Sequence, residues 1–325
     1  MHDDKLVTVC ITTYNRKEML NQAVESVLAQ TYLHFELIIV DDCSADGTKE
    51  YVHANLLSKD RRIRYIRHEV NKGLAAARNT AIFNGKGTYF AFVDDDDRWG
   101  KEYLEEFVSV ARQYDSQWCF CCGCVCEDVL GQTIFRKYAA LEGKLFDYCK
   151  EGLTPPVASQ FYYRDTLVEA GGYNENVRSG VDHDLWLTLA FRGVSLKSVD
   201  KYLSQPSDPM DVGRVKMTNS YQKRMQGIEK SLNIWREAIV NHYGEEYYHK
   251  FYRAYSIREK KKFFRLNMMR FNFIQAFQLY RDIKQYLSGG EILKSAMISI
   301  FLFLNISVKR TKYYINQPGF APFLK

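Results

Sequence analysis

Residues 6–44 read LVTVCITTYNRKEMLNQAVESVLAQTYLHFELIIVDDCS, and this stretch decides the fold. Leu6–Thr12 is a short β-branched apolar run. Met19–Gln30 then places Leu20, Ala23, Val24, Val27 and Leu28 at i, i+3, i+4, i+7 and i+8, the spacing of an amphipathic helix. Phe35–Val40 is a second apolar strand. A strand, a helix and a strand within forty residues predict a βαβ unit with a right-handed crossover and parallel pairing. The pattern continues. Gly47–Leu57 reads as a helix, Arg62–Ile66 as a weaker strand, and Gly73–Asn84 as a helix with Leu74, Ala77, Ala81 and Ile82 on one face. Thr88–Val93 is the next strand and Lys101–Tyr114 the next helix. The fold class is therefore α/β, a mostly parallel, Rossmann-like sheet flanked by helices.

Past residue 115 the signals mix. A Cys-rich strand (WCFCCGCVC, 118–126) is followed by a turn at Gly131 and a break at Pro155–Pro156. Asp182–Arg192 reads as a helix and Val194–Val199 as a strand. After Pro206 and Pro209 no strand is evident, and residues 214–310 read as helical. The expected division is 1–205 as the sheet domain and 206–325 as a basic, mostly helical region. Cys119, Cys121, Cys122, Cys124 and Cys126 are expected to serve as small apolar side chains on a buried strand. A zinc or iron–sulfur site needs a second Cys/His cluster at ligand spacing, and none is obvious.

With 46% hydrophobic and 26% charged residues, the composition excludes disorder, collagen and a disulfide-rich peptide. The net charge of +6 averages two opposites. Residues 250–325 hold 15 Lys and Arg against 3 Asp and Glu, a net of +12, and the rest carries −6. The opening MHDDKLVTV lacks a basic n-region and an h-region, so a cytoplasmic chain is expected.

In a doubly wound sheet ligands bind beyond the carboxyl ends of the strands. The polar clusters lie there: Thr12-Thr13-Tyr14-Asn15-Arg16, Asp41-Asp42-Cys43-Ser44 and Asp94-Asp95-Asp96-Asp97. A single Asp after a strand is ordinarily a helix cap or turn residue, and Ser44 and Asp46 fit that. Four carboxylates together repel unless they take up protons or cations. Alternation along an extended segment lets Asp94 and Asp96 share a side. Hard oxygen ligands suit Mg²⁺ or Mn²⁺ carrying phosphate oxygens. Neither a G-x-x-x-x-G-K-[ST] loop nor a G-x-G-x-x-G after the first strand is present, which disfavours Walker-type hydrolysis and dinucleotide redox chemistry.

The segments VTVCITTYNRKEML, FELIIVDDCSADGT, NKGLAAARNTAI, YFAFVDDDDRW, EAGGYNENV and SGVDHDLWLTL occur in this order. Together, over roughly residues 5–200, they resemble the family 2 glycosyltransferases, inverting, nucleotide-sugar-dependent enzymes of the GT-A fold. The resemblance implies that Thr12 and Tyr14 cradle the nucleotide base, that Asp42 hydrogen-bonds the pyrimidine, and that Arg78 belongs to the same pocket. It implies Asp96 as the metal ligand of a D-x-D motif and Asp95 as the ribose contact, with Asp94 beside them and the register ambiguous by one. The family's E-D pair carries the catalytic base at its second residue. Here Val181-Asp182 stands there, so the Glu is absent, Asp182 inherits the role, and Asp184 competes for it. An amphipathic helix starts at that point, so Asp182 could instead be its N-cap. His183 is read as a surface or helix-start residue.

The resemblance implies a UDP-sugar donor, Mn²⁺ or Mg²⁺, and a glycan or lipid-linked glycan acceptor in bacterial surface-polysaccharide synthesis. No Q-x-x-R-W signature follows residue 186, which favours one sugar per event. Arg214 and Lys201 are weak candidates for a cation near the diphosphate. The alternatives are a nucleotidyltransferase and a catalytically idle nucleotide-binding subunit. In the basic region, Ile292–Val308 (ILKSAMISIFLFLNISV) is short for a membrane span and reads as a buried or dimer-forming helix, an interfacial helix, or a span, in that order. Its charge suits an anionic membrane surface, so a peripheral position on the inner membrane's cytoplasmic face is an option. No nucleic-acid-binding module is recognised.

Overall fold

The computed structural model describes residues 5–127, 133–138, 140–149, 153–207, 221–269, 272–293, 296 and 312–316. They fall into two compact units. One holds residues up to 126, 135–207 and 314–316, and the other holds 127, 133–134 and the stretch from 221 to 313.

The first unit opens with β1 (Val7–Thr13), α1 (Lys17–Leu28) and β2 (Phe35–Asp41). Both strands are buried along their whole length, which is why they read as continuous apolar runs. On α1 the buried residues are Leu20, Ala23, Val24 and Val27. Leu20, Val24 and Val27 each contribute about 1.5–3 kcal/mol of burial free energy. A short α2 (Thr48–Tyr51) widens into a π-helical turn at Val52–Leu56, where a single helix is expected from the sequence. β3 (Ile63–Arg67), α3 (Leu74–Asn84) and β4 (Tyr89–Asp94) follow. β1 pairs in parallel with β2 and β4, and β2 with β3, so the expected parallel βαβ core is present.

The remaining elements of the unit are β5 (Arg98–Trp99), α4 (Tyr103–Ala111), β6 (Trp118–Glu127), β7 (Thr133–Lys137), β8 (Glu142–Lys144), α5 (Leu145–Cys149), β9 (Gln160–Tyr163), α6 (Arg164–Glu169), α7 (Val181–Phe191) and β10 (Ser195–Gln205). β9 runs antiparallel between β4 and β6, and β10 pairs in parallel with β6, giving a spine of β6-β9-β4-β1-β2-β3. The five cysteines of β6 are buried and packed as apolar side chains, and burial raises the thiols of Cys119, Cys121, Cys122 and Cys124, that of Cys124 to about 12. Trp99 stacks on Tyr103 with centroids 3.9 Å apart, and Phe107 on Phe161 at 5.0 Å, so α4 closes one face of the sheet.

The second unit contains α8 (Tyr221–Tyr243), α9 (Glu245–Met269) and α10 (Phe273–Ile283). Phe263 and Phe264 pack with Ala276, Leu279 and Ile283 in a small core between α9 and α10. A strand β11 (Lys312–Asn316) stands where no strand is expected from the sequence. Most of Ile292–Val308, and Arg214, lie outside the described residues. Among the described residues no helix is long and apolar enough to cross a membrane.

Candidate functional site

Strand register sets the site. Thr12 lies level with Val40 on one side and Asp94 on the other, while Thr13 is level with Asp41 and Asp41 with Arg67. The ends of four strands thus form one polar edge, the position at which an α/β sheet takes ligands. Asn15, with a left-handed φ of 53°, ties the loop after β1 to the loop after β2: its N–H donates to Ser44 Oγ (2.9 Å) and its side chain accepts from Ala45 N (2.7 Å). Asp46 accepts from Lys17 N and from the Thr48 N–H and hydroxyl, so Ser44 and Asp46 are turn-building residues. Thr12 is buried at this edge and Tyr14 is 48% exposed above it.

The Asp42 carboxylate accepts from Lys72 N (2.8 Å) and Gly73 N (2.7 Å) and lies 2.8 Å from His68 Nδ1. It therefore shapes the loop that leads into α3 and keeps about one acceptor position for a ligand.

The four aspartates split by direction. One carboxylate oxygen each from Asp94, Asp96 and Asp97 lies within 4.8 Å of the others. Asp95 turns away, is buried, and pairs with Arg16 at 2.9 Å. Asp97 is steadied by Ser207 N, which donates to its Oδ1 at 2.7 Å. Burial pushes Asp95 up to about 7, against the pull of Arg16. Burial also raises Asp94, and Arg78 offsets this only in part. Three hard oxygen donors held this close suit a divalent ion such as Mg²⁺ or Mn²⁺.

Arg78 connects this cluster to α7. It is 1% exposed, donates to Asp94 Oδ1 at 2.8 Å and to Asp182 Oδ1 at 2.6 Å, and lies over the rings of Tyr173 (5.2 Å) and Phe92 (5.7 Å). Burial works against its charge, and Asp182, Tyr173 and Asp94 outweigh it. The buried cation is therefore paired with two carboxylates through its outer nitrogens, the condition under which burial is tolerated, while its buried Nε has no hydrogen-bond partner.

Asp182 lies in the first turn of α7, but Gly180 stands at the N-cap with φ +83° and no side chain caps the helix. The capping alternative for Asp182 is thus not realised. Its carboxylate faces Arg78 and, at 3.4 Å, the Tyr173 hydroxyl. Asp184 and His183 are both buried, so His183 is not a surface residue, and its Nδ1 lies 3.3 Å from Thr154 Oγ1. Lys201 is occupied by an exposed ion pair with Glu106.

Tyr173 is placed by Asn79, which accepts from Tyr173 N at 2.7 Å and donates to Tyr173 O at 2.9 Å. The close fit requires Gly172: it has φ +73°, and a Cβ there would lie 2.4 Å from Asn79 Oδ1. Arg16, Asn79 and Tyr173 carry no role in the sequence reading. The Gly171-Gly172 pair was the available signal, since adjacent glycines mark a backbone that L side chains cannot follow.

The sheet order and its acidic edge define a GT-A-type α/β fold. Residues 8–164 match the family described as Glycosyl transferase family 2. An uncharacterized glycosyltransferase of Rickettsia felis is 34% identical over 217 residues, covering 63% of this chain and 33% of that protein. The Escherichia coli UDP-Glc:alpha-D-GlcNAc-diphosphoundecaprenol beta-1,3-glucosyltransferase WfgD is 40% identical over 108 residues, 33% of this chain and 42% of its own length. Mannosyltransferase PcManGT from Pyrobaculum calidifontis, in complex with GDP-Man and Mn²⁺, shares the fold with a TM-score of 0.59 at 16% identity, over 91% of this chain and 84% of its own. This chain matches that family over residues 8–164, just under half of its length. It spans between a third and a half of the length of the two sequence relatives.

Proposed function

We propose that this chain transfers a single sugar from a UDP-sugar to a hydroxyl of a glycan acceptor, with inversion, in polysaccharide biosynthesis. The observation that carries the reading is the Arg78 bridge, which joins an acidic cluster suited to a metal-bound diphosphate to a carboxylate suited to act as base. Asp182 is that base: it takes the proton of the acceptor hydroxyl as the oxygen attacks the anomeric carbon from the face opposite the diphosphate. The carbon–oxygen bond to the diphosphate breaks and UDP leaves, so an α-linked donor gives a β-linked product. One carboxylate is enough, because no covalent intermediate forms.

Asp94, Asp96 and Asp97 would hold the divalent ion, with Asp96 the principal ligand, and the ion supplies positive charge that stabilises the leaving diphosphate. Thr12, Tyr14 and Asp42 are assigned to the nucleotide base, and Asp95 to the ribose side. UDP is favoured because WfgD, named for a UDP-Glc donor, is the more similar in sequence, whereas the GDP-Man protein shares the fold alone. A lipid-linked acceptor follows from the same relative's diphosphoundecaprenol substrate.

For residues 206–325 we assign attachment to an anionic membrane surface, in keeping with a cytoplasmic, peripheral enzyme. The side chains of Phe273, Ile274 and Phe277 on α10 are exposed, in a region with a net charge of +12. Self-association through this region is the competing assignment.

The test is a UDP-release assay over a panel of UDP-sugars with Mn²⁺ and a GlcNAc-diphosphate-lipid acceptor. Asp182→Asn, shown to be folded by its melting curve, is expected to lose about 10³-fold in kcat. Transfer within tenfold of wild type would remove Asp182 as the base. Release of pyrophosphate in place of UDP would make the chain a nucleotidyltransferase, and nucleotide binding without transfer an idle subunit.

A further inference from the structure

We infer that Arg78 is a positioning residue for the Asp182 carboxylate and acts through Asp182 rather than through the nucleotide. This inference rests on the reading of Asp182 as the base. The resemblance places Arg78 with the nucleotide base, but the structure gives its guanidinium other work. Its two outer nitrogens are committed, one to Asp94 and one to Asp182, at 2.8 and 2.6 Å. The planar group lies over the rings of Tyr173 and Phe92, which meet edge to face, and the residue is 1% exposed. Its Nε has no hydrogen-bond partner but is buried, so little of the group faces a base arriving from solvent.

The surroundings point the same way. Successive residues of α3 serve one end: Arg78 holds the Asp182 carboxylate, and Asn79 holds the backbone of Tyr173, whose hydroxyl lies 3.4 Å from the same carboxylate oxygen. The first turn of α7 carries no side-chain cap to fix Asp182 locally. Without these partners the carboxylate would be set only by its own rotamer preferences, which a barrier-crossing geometry does not tolerate: misplacement by about 1 Å costs on the order of 10²-fold in rate. A guanidinium can bridge two carboxylates because it is a rigid fork, whereas an ammonium is a point charge and serves one of them at a time.

The experiment combines Arg78→Lys and Arg78→Met with Asp182→Asn, singly and together, in the full chain. Arg78→Lys is expected to lower kcat by about 10–100-fold and Arg78→Met by more, with donor KM within about threefold of wild type. UDP binding in the presence of Mn²⁺, measured by calorimetry without acceptor, is expected to stay within about threefold in both. In the Asp182→Asn background, Arg78→Lys, which keeps a cation beside Asp94, is expected to cost less than about threefold further, because the carboxylate that Arg78 positions is gone. UDP affinity falling tenfold or more, or an undiminished loss in that background, would overturn the inference and return Arg78 to the nucleotide pocket. Melting curves identify a variant that fails to fold, and the more conservative Arg78→Lys then carries the test. An Asp182→Asn enzyme that keeps wild-type rate is a separate outcome: it removes the base assignment itself.

Discussion

The two units use charge in opposite ways. In the sheet unit the charges that matter are taken out of water and paired: Arg78 between Asp94 and Asp182, Arg16 against Asp95, and Asp42 against two backbone amides and His68. In the helical unit ion pairs such as Lys250–Glu246 and Lys260–Asp282 lie at the surface, although Arg258 pairs with the buried Glu259, and exposed aromatic and aliphatic groups stand on α10. Buried pairs fix geometry because losing one partner strands a charge in a poor solvent. Surface pairs contribute about 0–1 kcal/mol and leave a net charge available to partners. The difference separates a unit whose charged groups are held in fixed geometry from one whose ion pairs stay in contact with water.

Substitutions can break this contrast, beginning with the largest effect. Asp96→Asn removes one oxygen charge from the acidic cluster, and transfer in the UDP-release assay is expected to fall by about 10²-fold or more, with a higher Mn²⁺ concentration needed for half-maximal rate. Chelation with EDTA is expected to abolish wild-type activity and added Mn²⁺ to restore it. An unchanged Mn²⁺ dependence would move the ion away from this residue.

Gly172→Ala tests the packing that sets Tyr173. A left-handed alanine and the contact with Asn79 together cost about 2–3 kcal/mol, a fall of roughly 5–10 °C in melting temperature. No fall would mean that the loop after α6 relaxes freely.

Glu36 offers a pH test in the same unit. Burial raises its pKa, but the Lys86 N–H, Arg64 and Thr8 bonds prevail and hold it below the usual range. A group lowered on folding contributes stability that is complete above its unfolded value near 4.3 and is lost as pH falls through the folded value. Denaturant unfolding of Glu36→Gln is therefore expected to show a deficit against wild type at pH 7 that shrinks between about pH 5 and pH 3. A constant deficit would show that the carboxylate's charge is not what the bonds recognise.

The smallest stability change is expected on α10. Ile274→Ser with Phe277→Ser should alter unfolding free energy by about 0.5 kcal/mol or less, because both side chains are exposed. Flotation with vesicles containing anionic lipid should nevertheless drop severalfold at moderate salt. Unchanged flotation would leave self-association as the assignment for this region.

Legibility followed the physics of each segment. The βαβ core could be read because its periodicities are local: β1 and β2 are buried on both faces, and α1 shows one clean stripe. The short strands β5, β8 and β9 escaped because two to four residues carry no periodicity, and their existence depends on neighbours far along the chain. The Cys-rich strand was legible as apolar once each thiol was counted as a small hydrophobe. Asp94 and Asp96 were placed on one side by alternation, but the turn after β4 brings Asp97 to the same cluster, and alternation cannot describe a turn.

By itself, the sequence determined the alternation of strands and helices, the strand ends at which polar groups gather, and the split of charge between the two parts of the chain. These properties depend on composition and on spacings of a few residues. Only the tertiary structure decided what the charged groups do to one another. Arg78 and Asp182 are 104 residues apart in sequence, and Asn79 and Tyr173 are 94 apart. No local pattern encodes such pairs. They meet because the parallel sheet carries α3 and the start of α7 to its carboxyl edge, where a buried guanidinium must find its carboxylates or remain uncompensated.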